Sequence, residues 1–324
     1  MATDPAKWME QTLDFSKTLK EISIPGSHDA GMYTSSNCSP GAASCNTETQ
    51  KKPMLGQLEA GMRYFDLRPV WTNGAFCTGH FSNVDVLGGQ GCTGGTLMDI
   101  FTGVNEFLSR GHKELVILKL SHDYDRDADR FSFNESQLDA LIDLVTRMLG
   151  KWLYLNDTGN RLAAIPLSRI IGSSGKVIAV FDRLPDQLVR SGIYQYSDYS
   201  PRGDQPGIVS GALSIYDEYS DTNDFDFMRR DQLGKLDCPV NHGGDLFLLS
   251  WTLTQSPVQA SGCLIGAAAS IIALAEKAIE SIVPDLRGHG ITSANVPNIV
   301  YLDVSPVQAT AACIEVNQRL GNNV

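Results

Sequence analysis

Short, nearly continuous apolar runs recur along the chain and alternate with helical patterns, and this alternation limits the possible fold more than any other feature. The clearest run, 114–121, reads Glu-Leu-Val-Ile-Leu-Lys-Leu-Ser and is typical of a strand buried on both faces. Further strands are predicted at 176–181, 212–216, 245–251 and 298–304, and helices at 95–110, 135–150 and 264–282. Buried strands that alternate with helices indicate an α/β protein with a parallel sheet.

The position of the polar residues favours a barrel over an open sheet. The candidate reactive residues come at the carboxyl ends of several different strands, where a (β/α) barrel places its chemistry. An open doubly wound sheet is the alternative, although the sequence has no Gly-x-Gly-x-x-Gly turn and no Walker loop. The Ser/Gly/Asn-rich segments 34–52 and 81–95 are predicted loops, and no linker divides the chain. We therefore expect a single domain over residues 1–324.

The charge balance excludes one class of partner. The chain of 324 residues has 26 Lys and Arg against 37 Asp and Glu, a formal net charge of −11. Affinity for nucleic-acid phosphates rests on Lys and Arg, so a general nucleic-acid partner is not expected. The same balance disfavours strong adsorption to anionic membranes, but a local apolar patch still permits transient contact with a membrane surface. We expect a monomer.

The seven cysteines bear on the compartment. They show no CxxC spacing that would indicate zinc. Cys38 and Cys45 flank a small loop that a disulfide could close, and Cys77 with Cys92 could do the same. Free thiols in a cytoplasmic protein are the alternative. Together with three Asn-x-Ser/Thr sequons, the cysteines lead us to expect an extracellular protein, with the cytoplasm as the alternative.

Two histidines carry the strongest chemical signal. His28 lies in Ile-Pro-Gly-Ser-His-Asp-Ala-Gly-Met, and His80 lies in Thr-Gly-His-Phe. Cleavage of a phosphodiester requires one group that takes a proton from the attacking hydroxyl and another that protonates the leaving oxygen. Imidazoles suit both tasks because their pKa lies near neutrality. Each histidine alone is more often a loop residue with local hydrogen bonds, and the presence of both favours a reactive pair.

A carboxylate and a guanidinium lie between the two histidines in sequence. Asp66 and Arg68 belong to the segment Tyr-Phe-Asp-Leu-Arg-Pro. Residues two apart on a strand point to the same face, so both side chains can reach one pocket. The guanidinium fork matches phosphate oxygens, whereas a structural ion pair is the plainer interpretation. Phosphodiester cleavage is therefore the leading hypothesis.

These segments together resemble the X-type catalytic domain of phosphatidylinositol-specific phospholipases C. The match consists of the His28 segment, then Gly-Met-Arg-Tyr-Phe-Asp-Leu-Arg ending at Arg68, then Gly-His at His80, and it is most specific over about residues 20–125. The resemblance implies a distorted, incompletely closed TIM barrel. It also implies attack by the inositol 2-hydroxyl on phosphorus, which gives a cyclic phosphate and diacylglycerol.

The resemblance assigns roles to five residues. His28 matches the general base, and His80 matches the general acid. Arg68 matches the phosphate-stabilising arginine of the metal-independent bacterial branch. Asp29 follows the first histidine as in the bacterial enzymes, where this aspartate couples to the acid step. Asp303, in the last predicted strand, matches the aspartate that orients the base, with a capping role as the plainer alternative.

The second segment bears on the metal requirement. The calcium-dependent branch has Glu-x-Asp there, two carboxylates that help to hold a hard cation. In this chain Arg68 follows Asp66 at that spacing, so a guanidinium replaces the second ligand. We therefore expect no metal and no cofactor.

The headgroup-binding residues are less well matched than the reactive ones. Asp217 and Tyr219 resemble the Asp-x-Tyr pair that contacts the inositol ring, and Asp66 is the carboxylate of the second motif. Ser121 and His122 stand where the family has a lysine or an acidic residue. Lys119, on the same strand face as Ser121, is a candidate replacement. Arg183 is the candidate for the missing inositol-binding arginine.

These departures leave other functions open. One is cleavage of a different phosphodiester, soluble or without inositol, in which water attacks. Another is a catalytically weak barrel that binds a phosphorylated headgroup or a protein, motivated by the altered segment at Ser121 and His122. A barrel fold hosts many chemistries and does not decide between these functions.

Overall fold

Eight parallel strands close into a barrel in the computed structural model, which describes residues 3–324; residues 1 and 2 of the expected domain lie outside this range. The strands are β1 (Ile24–Ser27), β2 (Tyr64–Leu67), β3 (Pro69–Thr72), β4 (Ala75–Val84), β5 (Gly88–Thr96), β6 (Leu115–Leu120), β7 (Tyr124–Asp125), β8 (Lys176–Phe181), β9 (Ile193–Asp198), β10 (Leu213–Asp217), β11 (Leu246–Ser250) and β12 (Ile299–Leu302). In the barrel they follow the order β1-β12-β11-β10-β9-β8-β6-β2.

Helices cover the outside of the barrel. The α-helices are α1 (Trp8–Thr12), α2 (Ser44–Thr47), α3 (Met54–Glu59), α4 (Leu97–Ser109), α5 (Glu135–Leu149), α6 (Leu167–Ile171), α7 (Phe225–Leu236), α8 (Pro257–Cys263), α9 (Ile271–Gly288) and α10 (Val307–Arg319). Short 3-10 helices lie at Pro5–Lys7, Asp85–Leu87, Leu162–Ala164, Asp186–Leu188 and Pro239–His242. The long helices begin at capping side chains: Thr96 accepts from the Asp99 amide, and Asn134 accepts from the Gln137 amide.

The first strand closes the barrel. β1 pairs with β12 on one side and with β2 on the other, and Gly26 has Tyr301 and Tyr64 as its partners on these two strands. A Cβ at Gly26 would lie 2.8 Å from Ile299 Cγ2, so only glycine fits between the two strands. The predicted α/β TIM barrel is confirmed. The expectation that it stays incompletely closed is wrong, because β1 bonds to both neighbours.

Strand alternation sorts the side chains between two apolar layers. Leu115 and Ile117 of β6 pack inside the barrel, whereas Val116 and Leu118 pack against the helices. Lys119 continues the inward row, because successive strand residues point to opposite faces. This alternation places a buried ammonium group near the carboxyl end of the barrel.

A second sheet extends the barrel where a loop was predicted. Residues 81–95 are not a loop: β4 and β5 form an antiparallel hairpin within the sheet β5-β4-β3-β7. The glycines that suggested a loop permit close strand pairing, since a Cβ at Gly91 would lie 1.8 Å from the His80 carbonyl oxygen. The hairpin carries His80 on β4.

The helix predicted at 264–282 begins later than expected. α8 ends at Cys263, and α9 begins at Ile271. Gly266 between them adopts a left-handed conformation with φ of 71°, which interrupts the helical path. The Ser270 hydroxyl then accepts from the Ala273 amide and starts α9.

Two disulfides join segments around the carboxyl end of the barrel: one links the loop after β1 to β5, and the other links α2 to α8. They are Cys38–Cys92 and Cys45–Cys263, whereas Cys77 is free and buried. The pairings considered from sequence spacing, Cys38 with Cys45 and Cys77 with Cys92, are wrong. The loop after β1 runs along β5 instead, and this brings Cys38 to Cys92.

We expect the Cys45→Ser/Cys263→Ser variant to lose about 2–4 kcal/mol of unfolding free energy, because the disulfide restricts a long loop in the unfolded chain. The two cysteines are 218 residues apart. Urea denaturation followed by circular dichroism measures the loss. Cys238→Ser, at an exposed free cysteine, is the matched control and should leave stability unchanged. Equal stability of the disulfide variant and the control would contradict the expectation.

Candidate active site

The carboxyl ends of the barrel strands surround a cavity of about 690 Å³. His28 follows β1, Arg68 follows β2, and His80 reaches the cavity from the β4–β5 hairpin. Asp303 directly follows β12 and contacts His28. The structure therefore brings together the residues that the sequence placed in one pocket.

His28 is held between a carboxylate and a guanidinium. Its Nδ1 lies 2.7 Å from Asp303 Oδ1, and its Nε2 lies 3.1 Å from Arg68 Nη2. A guanidinium can only donate, so Nε2 is the accepting nitrogen and Nδ1–H donates to Asp303. Burial lowers the pKa of His28, but the carboxylates of Asp303 and Asp29 outweigh it and raise this pKa above its ordinary value.

Asp29 links the second histidine to the arginine. Its Oδ2 lies 2.6 Å from His80 Nδ1, and its Oδ1 lies 2.5 Å from Arg68 Nε. Burial would raise the pKa of this carboxyl, but Arg68, His28 and His80 hold it below its ordinary value. Asp29 adopts a φ of 41°, a left-handed conformation that aspartate tolerates better than most residues. The carboxylate thus stays charged between the Arg68 guanidinium and the His80 imidazole.

Arg68 occupies the centre of the group. Besides His28 and Asp29, it contacts Asp66 Oδ2 at 3.3 Å, and Asp66 also accepts from the Tyr301 hydroxyl at 2.8 Å. Burial lowers the pKa of Arg68, but the two carboxylates raise it well above its usual value. The guanidinium is a permanent cation whose side chain is 25% exposed to the cavity.

The same residues include three potential metal ligands. One ligand atom each from His28, Asp29 and Asp66 lies within 4.8 Å of the others. Arg68 contacts all three of these side chains. A metal ion would have to displace the guanidinium or share the site with a second cation. The donor set is therefore better suited to Arg68 than to a divalent ion.

A second polar group lies deeper in the barrel. Lys119 Nζ contacts Asp217 Oδ2 at 2.8 Å, and the Tyr196 hydroxyl donates to the same oxygen at 3.0 Å. Burial opposes the charge on Lys119, but Asp217 raises its pKa well above the ordinary value. The predicted substrate-binding residues Asp66, Lys119, Ser121, Asp217 and Tyr219 all line the cavity.

Arg183 does not reach the site. Its guanidinium contacts Asp123 at 3.1 Å and donates to the Phe133 carbonyl at 2.8 Å, away from the cavity lining. The residue is one position past Asp182, which directly follows β8 and does face the cavity. The prediction that Arg183 binds the headgroup is therefore wrong.

The sequence analysis did not assign four carboxyl groups that line the cavity, those of Asp182, Asp198, Asp204 and Glu218. Burial raises the pKa of Asp182 to about 6. Burial and the Asp217 carboxylate raise the pKa of Asp198 to about 6. Asp182 could have been found as the first residue after a predicted strand. Asp198 ends β9, a strand that the sequence analysis did not identify.

Comparison with known proteins supports the resemblance stated from the sequence. No protein-family model matches the chain. Over 128 residues, 40% of the chain, it is 30% identical to a 1-phosphatidylinositol phosphodiesterase of Staphylococcus aureus (strain Newman). Over 127 residues it is 27% identical to the protein of the same name from Listeria monocytogenes. The matched segments span 38% and 36% of these relatives.

Solved structures show the shared fold. Phosphatidylinositol-specific phospholipase C from Staphylococcus aureus, with pentafluoro-phenylalanine incorporated, superimposes with a TM-score of 0.66 and 18% identity, over 97% of both chains. The Listeria monocytogenes enzyme gives 0.59 and 19% identity, over 97% of this chain and 99% of its own. The resemblance is confirmed: the chain is similar to these proteins in sequence over part of its length and in fold over nearly all of it.

We expect Asp303→Asn to lower the pKa of His28, because the carboxylate that raises it is removed while burial and Arg68 continue to lower it. A proton NMR titration of the histidine ring signals measures this change. His289, which bonds to Asp237 outside the cavity, serves as the internal control. An unchanged His28 pKa in the variant would show that Asp303 does not set its charge.

Proposed function

We propose that the chain cleaves the phosphodiester bond of a phosphatidylinositol-like lipid without a metal ion. One observation carries the proposal: the Arg68 guanidinium lies between His28 and the Asp29 carboxylate that binds His80. This arrangement supplies a base, an acid and a phosphate-binding cation in one cavity. The relatives named 1-phosphatidylinositol phosphodiesterase support the choice of substrate.

In the proposed mechanism the base is His28. The substrate phosphate attracts Arg68, whose hydrogen bond to His28 Nε2 is then replaced by bonds to phosphate oxygens. The freed Nε2 lone pair accepts the proton of the neighbouring headgroup hydroxyl, and that oxygen attacks phosphorus. Asp303 stabilises the imidazolium that forms. His28 must be unprotonated to act as the base, and its pKa lies above the ordinary value of 6.5. As the pH is lowered, kcat/KM should therefore begin to fall while the pH is still above 6.5.

The acid is His80. With Nδ1–H bound to Asp29, its Nε2–H is free to protonate the leaving glycerol oxygen as the bond from phosphorus to that oxygen breaks. The products are diacylglycerol and a cyclic phosphate, and the proton taken by His28 equals the proton given by His80. Arg68 neutralises charge on the phosphoryl oxygens in the transition state.

The proposed substrate lies in a lipid surface, and the segments at the cavity rim carry exposed apolar side chains that suit contact with such a surface. Val86 at the tip of the β4–β5 hairpin is 97% exposed, and Ile265 after α8 is 83% exposed. Ser82 and Ala260, in the same two segments, line the cavity. Residues 256–270 contain no charged side chain, so contact with a membrane there depends on apolar insertion. The described helices include none that could cross a membrane.

We further propose that the protein works outside the cell. The two disulfides join segments at the cavity rim and persist only in an oxidising compartment. The monomeric state stays a prediction.

We expect the protein to release a cyclic phosphate from phosphatidylinositol vesicles in the presence of excess EDTA, because Arg68 takes the place of a metal ion. Phosphorus NMR identifies the product. A requirement for added Ca²⁺ would contradict the metal-independent mechanism. A linear phosphate with no cyclic intermediate would instead indicate attack by water. Binding of the vesicles without turnover would indicate a catalytically weak barrel that binds the headgroup.

His28→Ala and His80→Ala should each lower kcat by about 10²–10⁴, because each removes one proton transfer. Turnover of phosphatidylinositol and thermal melting are measured together, and Tm should change little. His289→Ala, on the protein surface, is the matched control. Full activity of either cavity variant would refute its assigned role.

We expect a Val86→Ser/Ile265→Ser variant to lose activity on vesicles by about tenfold and to keep its activity on a soluble short-chain phosphatidylinositol. The reason is that only the vesicle substrate requires insertion of the rim. Val240→Ser, an exposed apolar residue outside the cavity lining, is the control. Equal loss on both substrates would contradict a membrane role for the rim.

A further inference from the structure

The cavity contains a third histidine that the proposed mechanism does not use. His122 is the second residue after β6 and lines the cavity with Ser121 and Asp182. Its backbone is left-handed, with φ of 55°, and its amide donates to Asp182 Oδ2 at 3.0 Å. Asparagine, aspartate and histidine adopt this conformation more readily than other residues that carry a side chain. The backbone therefore fixes the place of the imidazole in the cavity wall.

A directed chain of hydrogen bonds fixes the tautomer of His122. The Asp66 carboxylate can only accept, and the single hydroxyl proton of Ser121 is donated to its Oδ1 at 3.2 Å. The Ser121 oxygen must then accept from His122 Nδ1–H, which lies 3.0 Å away. Nε2 of His122 is left as an unprotonated nitrogen with a lone pair.

The surroundings keep this imidazole neutral. His122 is exposed at the cavity wall, but the loss of solvation inside the cavity and the nearby cations Arg68 and Lys119 lower its pKa to about 4, and Asp66 and Asp29 oppose this shift. At neutral pH the ring is an acceptor at Nε2 and carries no charge. Neither a phosphate oxygen nor an ether oxygen can donate to such a nitrogen, whereas a hydroxyl can.

We propose that His122 determines headgroup specificity by accepting, at Nε2, a hydrogen bond from a ring hydroxyl of a polyol headgroup that takes no part in the reaction. This inference rests on the proposed function and deepens it. Arg68 binds the phosphate, the histidine pair transfers the protons, and His122 recognises one unsubstituted hydroxyl of the headgroup attached to the phosphate. The class of substrate is a phosphodiester of a polyol in which that hydroxyl is free.

The test compares His122→Ala with the wild type on a soluble short-chain phosphatidylinositol and on analogues that each lack one ring hydroxyl. We expect the variant to raise KM about tenfold with little change in kcat. One deoxy analogue should cost the wild type about tenfold in kcat/KM and cost the variant nothing further. His122→Asn, which fits the left-handed backbone and retains an accepting oxygen, should recover part of the loss. An equal penalty from every analogue in both proteins would overturn the inference.

A second measurement does not depend on turnover. Nitrogen-15 NMR of the histidine rings should show Nε2 of His122 without a proton at pH 7, and a shift of that signal when myo-inositol is added. A protonated Nε2, or no shift at saturating myo-inositol, would overturn the inference. If the wild type cleaves no phosphatidylinositol, the proposed function fails, and the NMR result alone decides the role of His122.

Discussion

The geometry of the site depends on the contacts that the buried Asp29 carboxylate makes with Arg68 and His80. This carboxylate has two oxygens and uses one for Arg68 and the other for His80. A buried carboxylate with no cation beside it would be strongly unfavourable, and the guanidinium of Arg68 supplies that cation whether or not His80 is charged. The distance between the phosphate-binding cation and the proposed acid is therefore fixed before any substrate arrives. Such preorganisation is what transition-state stabilisation requires.

The remaining charges of the cavity follow from the same balance. Asp66 takes part in four interactions, with Arg68, Tyr301, Ser121 and, at 3.9 Å, Lys119. Lys119 also pairs with Asp217 at 2.8 Å. Each buried charge thus has a partner of opposite sign or a hydrogen-bond donor. The cavity offers Arg68 as the cation that faces the histidine pair, and a single phosphodiester carries one negative charge. Arg68 thus matches the charge of one phosphodiester group, and Arg202 is a further cation in the cavity lining.

Much of the fold and of the central site could be predicted from the sequence, because both rest on local patterns. The strand predicted at 176–181 has the same bounds as β8, because the five consecutive apolar residues after Lys176 are typical of a buried strand. His28, Arg68 and His80 belong to short segments, and His80 reaches the cavity even though the hairpin that carries it was predicted as a loop.

The features that sequence reasoning missed depend on distant parts of the chain. β9 alternates polar and apolar residues and becomes a strand through pairing with β8 and β10. The disulfide partners follow from how the loop after β1 lies on β5, which spacing does not encode. Arg183 was predicted to reach the cavity, but its neighbour Asp182 faces the cavity instead and Arg183 pairs with Asp123.

The closure of the barrel by β1 has a consequence for folding. β1 pairs with β12, and the bond between His28 and Asp303 joins residues 275 positions apart. Contacts between residues so far apart in sequence form slowly, because the chain loses the entropy of closing a large loop before these contacts can stabilise the fold. During synthesis, His28 and His80 leave the ribosome long before Asp303, the partner of His28, has been added to the chain. Acquisition of activity during refolding would therefore report the last step of barrel closure rather than the formation of the individual strands.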